Sequence, residues 1–325
     1  MSIMRRNVLF LALAGCCLSG SAQTAPGEPG AFRATSTVVT VPTLVRDQSG
    51  EPVRNLGVDD FALYDNGLPQ SVKLADLGDE PVALVVVVQT GGAGARHFFD
   101  YADFPSLLDW LISATYHDRM LVTFDSRVEM IWPFPPRSDG VAHSLTHLHA
   151  GDQGAALVDA VQFGVQQLQS EPGQFRRIVL LVSQETDEGS LTPFEESLHT
   201  LGKGSTAVYS LTFHAPAPRG KFKPARRAKD RQPITPLAAA LNQLHADTAS
   251  QLAAYTGGAH LSFTTRRDFD EAMKAIATDI RNRYGLSFQP AAHLPGLHQL
   301  KVNAREGLRI TARGGYWFDP EEKNP

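Results

Sequence analysis

The sequence holds two cysteines in 325 residues, and they are neighbours, Cys16 and Cys17. Cleavage after Ala22 leaves a chain with no thiol, so no disulfide can staple the mature fold and core burial must hold it. A cysteine-free body suits an exported protein that avoids oxidative mispairing. Long apolar runs are also missing: the stretch Val8 to Ala14 is far shorter than the roughly 20 residues a membrane-spanning helix needs. There is no HExxH pair, no P-loop, no nucleophile elbow and no paired-carboxylate signature at a strand end. These absences point away from an enzyme. Charge of one sign is not in excess either. A net charge of −4 with 42% hydrophobic and 20% charged residues describes an ordinary globular body. No cofactor and no nucleic-acid partner are expected.

What is present begins with a targeting segment. Arg5 and Arg6 precede the short apolar stretch, the order of an export signal. Two processing routes stay open. Gly20-Ser21-Ala22 offers small residues to a general signal peptidase. Leu13-Ala14-Gly15-Cys16 is similar to a lipobox, in which Cys16 would carry lipid and tether a soluble body to the membrane. Either route places the body outside the cytoplasm, in the periplasm or envelope. Residues 23 to 32 are Pro/Gly-rich and read as a linker.

Beyond the linker the pattern changes twice. Residues 34 to 46 are β-branched and partly alternating, hence a strand. Residues 61 to 65 are a second strand, and Asn66-Gly67 is a hairpin turn because both residues tolerate positive φ. Ser71 to Leu77 is the expected return strand. From residue 81 strands and helices alternate, the pattern of a doubly wound α/β sheet. Val82 to Val88 reads as a fully buried parallel strand. Further strands are expected at 119–124, 128–134, 178–182, 205–213 and 259–263. Helices are expected at 106–115, 139–149, 155–169, from a Thr192-Pro193-Phe194-Glu195 capping box to Leu201, from Thr235-Pro236 to Tyr255, and at 268–284 with Phe269, Met273, Ile276 and Ile280 on one face. Gly257-Gly258 reads as a C-terminal cap. The tail returns to strands, and the terminal β segments are expected to pair into one accessory sheet. The segments are thus 33–79 accessory β unit, 80–284 α/β domain, 285–318 C-terminal β segment and 319–325 tail.

Residues 216 to 236 stand apart, with seven Lys or Arg against one Asp. Lys221, Lys223, Arg226, Arg227, Lys229 and Arg231 carry most of that charge. The prolines and low apolar content read as a solvated loop. It leaves the C-terminal end of a parallel strand, the edge at which open α/β sheets bind ligands.

The chain resembles exported bacterial von Willebrand factor A-related proteins of the acidobacterial type over roughly residues 35 to 318. The resemblance rests on Gly50-x-Pro52-Val53-x-x-Leu56, on Asp60-Phe61-x-Leu63-x-Asp65-Asn66-Gly67-x-Pro69-Gln70, on Asp118 to Phe124, on Thr256-Gly257-Gly258, on Ile280-Arg281-x-x-Tyr284-x-Leu286 and on Ala312-Arg313-x-Gly315-Tyr316. It implies a Rossmann-like, mostly parallel sheet with an accessory β unit from both chain ends. It also implies ligand recognition rather than catalysis, at a metal-ion-dependent adhesion site on the C-terminal sheet edge. In that family an Asp-x-Ser-x-Ser loop holds Mg²⁺ through oxygen ligands. Here the corresponding loop is Gln89-Thr90-Gly91-Gly92-Ala93. Gln89 replaces the aspartate, and Gly91 and Ala93 replace the serines. The threonine position falls near Ala155 and the last aspartate position on Gln184. All five ligand positions are replaced, which implies a von Willebrand A-like domain binding a protein partner without an essential metal. The rival reading is a metal-dependent receptor whose site is rebuilt from Asp152, Glu185 and Asp187. An acidic or polyanionic envelope ligand is the expected partner class, given the basic loop. His143 and His147 share a helical spacing and, with His149, invite a metal reading, but an exposed polar face accounts for them without metal. Tyr316-Trp317-Phe318 reads as the closure of a β core.

Overall fold

The computed structural model describes residues 38–77, 80–112, 117–135, 140–173, 175–213, 247–291 and 294–319. The N-terminal segment with Cys16 and the basic segment 216–236 lie outside the described residues. In chain order the strands are β1 (Val39–Arg46), β2 (Ala62–Asp65), β3 (Leu68–Gln70), β4 (Val72–Asp76), β5 (Val82–Gln89), β6 (His117–Phe124), β7 (Val128–Trp132), β8 (Arg176–Gln184), β9 (Ala207–Phe213), β10 (His260–Phe263), β11 (Arg283–Phe288), β12 (Gly296–Asn303), β13 (Arg309–Ala312) and β14 (Gly315–Phe318). The helices are α1 (Phe104–Ile112), α2 (Val141–Leu145), α3 (Leu157–Gln169), α4 (Phe194–Lys203), α5 (Thr248–Thr256) and α6 (Arg266–Arg281), with a 3₁₀ stretch over Gly94–Tyr101.

The central sheet has six strands in the order β10-β9-β8-β5-β6-β7. All pairs are parallel except β6–β7, which is antiparallel at the edge. Numbered from β5, this is the order of a doubly wound Rossmann-like sheet. Strand β5 is central and all eight of its residues are buried, which its valine run suits because β-branched side chains pack well on a pleated surface covered on both faces. Successive side chains point to opposite faces. Leu84, Val86 and Val88 meet α1, α2 and α6 through Phe104, Leu108, Val141, Phe269 and Ile276. Ala83, Val85 and Val87 meet α3, α4 and α5 through Val161, Val165, Leu201 and Leu252. Helices on both faces make this the α/β layer arrangement that the alternation of elements predicts.

Both chain ends build the remaining β structure, but as two sheets rather than one. Their orders are β13-β1-β11-β4 and β14-β12-β2-β3. They enclose a separate core of Val41, Val45, Phe61, Leu63, Leu286, Phe288, Leu300, Tyr316 and Phe318. A single sheet would leave one apolar face of these alternating strands in water, and two facing sheets remove it. Tyr316 and Phe318 close that core, as read from the sequence, while Trp317 points the other way onto His199. Asn66 and Gly67 take φ of 48° and 82°, the tight turn expected. The return strand is the short β3, however, and Val72–Asp76 crosses to the other sheet to pair with β11.

Several helices depart from the sequence reading at their ends. The expected capping box at Thr192 and Glu195 does not form: Pro193 is extended (ψ 139°) and helix α4 begins at Phe194, because the Thr192 N–H is already taken by Asp159 Oδ1 at 2.8 Å. Helix α2 stops at Leu145 rather than 149, where the Thr146 hydroxyl donates to the His143 carbonyl. Helix α5 begins at Thr248, where Asp247 is non-helical (φ −150°) and accepts from the Ser250 N–H; the expected start at Thr235-Pro236 lies outside the described residues. The Gly257 cap is as expected, at φ 77°. Helix α6 starts with a Thr265–Asp268 capping box and ends at Arg281, so Tyr284 lies in β11.

Candidate functional site

Among the described residues, four loops meet at the C-terminal edge of the central sheet around β5 and β8. They follow β5 (89–94), join β6 to β7 (125–127), precede α3 (150–156) and follow β8 (184–193). The structure brings Gln89, Thr90, Gly91, Ala93, Ala155, Gln184 and Asp187 to this edge.

At its centre two glutamines engage one another. Gln89 and Gln184, at the ends of adjacent parallel strands, are 0% and 3% exposed. Gln89 Nε2 donates to Gln184 Oε1 at 3.1 Å and to the Gly91 carbonyl at 3.0 Å, while Gln89 Oε1 accepts from the Gln184 N–H at 2.8 Å. Gln184 Nε2 in turn donates to the Thr186 carbonyl at 3.0 Å. An amide has two N–H donors and one carbonyl acceptor. Both donors and the acceptor of Gln89 are therefore used within the site. Amides can do this side by side because each is donor and acceptor at once, whereas two carboxylates here would only accept.

Around this pair the loops close on one another through glycine. A Cβ on Gly91 would stand 2.2 Å from the Gly154 carbonyl oxygen and 2.6 Å from Asp125 Cβ. One on Gly154 would stand 2.6 Å from the Ser126 N and Cα, and one on Gly151 would stand 2.5 Å from Asp125 Oδ2. Main-chain bonds hold the contact: Gly92 N–H to Asp152 O at 2.7 Å, Gly151 N–H to Thr90 O at 3.0 Å, and Ala156 N–H to Asp125 O at 2.8 Å. Thr90 spends its hydroxyl on the Phe124 carbonyl. Ala93 precedes the 3₁₀ stretch, and Ala155 is buried and paired with Glu188 in an isolated bridge.

The loop acids serve the backbone. Asp125 accepts from the N–H groups of Arg127 and Asp152. Asp152 accepts from the Ser126 hydroxyl and from the N–H groups of Ser126 and Gly154. The Ser126 hydroxyl, then the Gly154 N–H, hold the Asp152 carboxyl below the usual carboxylate range, as expected for a charge receiving several donors. Asp187 accepts from the Val158 N–H at 3.0 Å and the Ser190 hydroxyl at 2.5 Å, and Ser190 accepts from the Asp159 N–H. Asp187 and Ser190 thus cap the first turn of α3 from a neighbouring loop. Asp187→Ala should cost about 1 kcal/mol in urea unfolding, the worth of one helix cap; an unchanged midpoint would show that solvent replaces it freely.

Among the described residues no three His, Cys, Asp or Glu side chains converge on a point that could hold a metal. The His143 and His147 rings lie 4.2 Å apart, with His147 Nδ1 against the His143 carbonyl at 2.9 Å. The sequence reading placed the replaced ligand positions together and missed the glycines opposite them. The run Gly151-Asp152-Gln153-Gly154 was the signal, since glycine marks close backbone approach as well as turns.

No family model matches the chain, and no curated protein matches it. Among solved structures, similar ones include an aerotolerance-related membrane protein from Bacteroides fragilis carrying multiple mutations to serine (14% identity, 61% of this chain and 98% of that one, TM-score 0.41). Another is proximal thread matrix protein 1 from the mussel byssus with a zinc-occupied MIDAS motif (8% identity, 68% and 51%, TM-score 0.45). A third is the VWA domain of SpRpn10 (8% identity, 42% and 77%, TM-score 0.32). The chain spans about half the length of the mussel protein. Likenesses this distant say nothing of what the protein binds. Its class, a Rossmann-like doubly wound α/β domain with an accessory β unit from both chain ends, rests on its own strand order and layers. Among the described residues no helix is long and apolar enough to cross a membrane.

Proposed function

We propose that this chain is an exported, non-enzymatic interaction protein whose von Willebrand A-like domain recognises a protein partner in the cell envelope without an essential metal. The observation that carries the reading is the Gln89–Gln184 pair. Two buried amides bonded to each other occupy the ends of adjacent central strands, where the family resemblance places two metal-binding aspartates. A dication of this kind wants hard oxygen ligands in a fixed array. The glycine contacts beside the pair leave no room for serine at Gly91. The carboxylates Asp125, Asp152 and Asp187 in the same loops already accept backbone donors, and moving any of them to a metal would undo a loop contact.

Export through residues 1–22, followed either by cleavage after Ala22 or by a lipid tether at Cys16, and a linker over 23–32 belong to the same proposal. So does the class of partner. The described loops at the sheet edge carry Asp125, Asp152, Glu185, Asp187 and Glu188. Attraction of an acidic or polyanionic partner therefore depends on the basic segment 216–236.

Calorimetric titration of the chelator-stripped mature protein with Mg²⁺, Mn²⁺ and Ca²⁺ tests the reading. Silence up to millimolar metal is expected. Stoichiometric binding at micromolar metal would mean that Asp152, Glu185 or Asp187 rebuilds the site, and the metal-free reading would be wrong.

A further inference from the structure

A cavity of about 220 Å³ lies at the opposite end of the molecule's central sheet from the glutamine pair, between the C-terminal end of α4, the start of β8 and strand β14. Its walls include Arg177, Lys203 and Arg313 on the charged side, and Val39, Trp317 and Phe318 on the apolar side. Within the cationic wall, Arg313 has no carboxylate partner among the described residues. Arg313 is 4% exposed, yet its bonds go only to main-chain carbonyls: Nε to Gly315 at 2.6 Å, and Nη2 to Leu201 at 3.0 Å and Gly202 at 2.6 Å. Leu201 and Gly202 are in the last turn of α4, where a cation offsets roughly half a negative charge. That leaves the guanidinium without a carboxylate. Burial pushes its pKa down to about 10, the mark of a charge whose desolvation is not fully repaid. Arg177 bonds through Nη2 to the Glu171 carbonyl, and its Nε has no partner. Lys203 is held 3.4 Å from Asp319. Three cations thus line a small cavity with an aromatic wall, with the Asp319 carboxylate beside Lys203 and the Glu171 carboxylate acting on Arg177.

We propose that this cavity is a binding site for a small amphiphilic carboxylate, its charge received by Arg177 and Arg313 and its apolar part laid against Trp317. Guanidinium N–H groups give a carboxylate charge-assisted hydrogen bonds that are stronger than neutral ones. The apolar wall favours an acid with a hydrocarbon or aryl body over a bare inorganic anion. The cavity is smaller than a drug-sized pocket of ~300 Å³ or more, so the ligand is a short acid or the C-terminal residue of a peptide. The site is independent of the sheet-edge reading, sharing no residue with it.

The test follows the indole N–H of Trp317 in ¹H–¹⁵N spectra of the full chain. Trp317→Phe assigns the signal among the three tryptophans. Benzoate is the probe for a free acid, N-acetyl-leucine for a peptide terminus, and benzamide the uncharged control. Saturable shifts with a Kd below about 1 mM for either acid, and none for benzamide, are expected. Arg177→Gln should weaken binding about tenfold, the loss of one charge-assisted contact. Arg177 is the chosen position because Arg313 also anchors α4, and a circular dichroism spectrum and urea midpoint confirm that the variant is folded. No saturable shift by about 10 mM acid, equal binding of benzamide, or unchanged affinity in folded Arg177→Gln would overturn the proposal. Binding of sulfate but neither organic acid would overturn it as well.

Discussion

Gly91→Ser will destabilise the protein by about 3 kcal/mol or more, instead of returning an oxygen ligand to the sheet edge. The magnitude follows from what the new Cβ would meet. The Gly154 carbonyl oxygen is 2.2 Å away and the Asp125 Cα 2.8 Å away. Both are backbone atoms, so no rotamer change relieves the overlap. The loops would have to separate, breaking the Gly92–Asp152 and Gly151–Thr90 main-chain bonds and exposing the Gln89–Gln184 pair. An unfolding midpoint in urea reads this directly. The combination Gln89→Asp, Gly91→Ser, Ala93→Ser and Gln184→Asp is expected to lose still more and to gain no submillimolar Mg²⁺ affinity. Were Gly91→Ser as stable as the parent protein, the loops would be free to part, and the closed edge could not support the proposed metal-free reading.

The same residues show how far the sequence could be read. The valine run of β5, the Asn66-Gly67 turn and the apolar face of α6 each obey a local rule, so their place in the fold was legible. Gln89, Gly91, Ala93, Ala155 and Gln184 were legible as positions sharing one sheet edge through the family resemblance. What these side chains do there was not. That two amides bond to each other across residues 89 and 184 depends on the register of β5 against β8, a non-local fact. The capping box at Thr192 failed for a related reason. Its pattern is correct, but Asp159, on a helix 33 residues earlier, reaches the Thr192 N–H first. The second accessory sheet was hidden because alternation shows which face of a strand is apolar and not what covers it. The cavity at Arg177 and Arg313 has no local signature at all, since its residues come from β8 and the C-terminal β segment.

Asp279→Ala is expected to cost about 3–5 kcal/mol, because it orphans a buried cation. Arg283 and Asp279 have side chains 1% and 4% exposed, with Arg283 Nε donating to Asp279 Oδ1 at 2.5 Å. Tyr209 on β9 donates its hydroxyl to the same oxygen at 2.8 Å. The Arg283 Nη1 donates to the Gly257 carbonyl at the cap of α5 and to the Pro42 carbonyl on β1. One guanidinium therefore joins α6, the α5 cap and the accessory β-sandwich, with Tyr209 of the central sheet added through the shared carboxylate. Removing Asp279 alone leaves the charge buried among carbonyls and a phenol. Removing both charges, as Asp279→Leu with Arg283→Met, trades the pair for apolar packing and should cost less than Asp279→Ala. Urea unfolding of the single and double variants measures the difference. An Asp279→Ala protein within about 1 kcal/mol of the parent would mean that water reaches Arg283. The seam between the sandwich and the α/β layers would then be open, not held by a buried ion pair. If the loss is as large as expected, the two β sheets built from the chain ends are fastened to the α/β domain by the same interaction that fixes the end of its last helix.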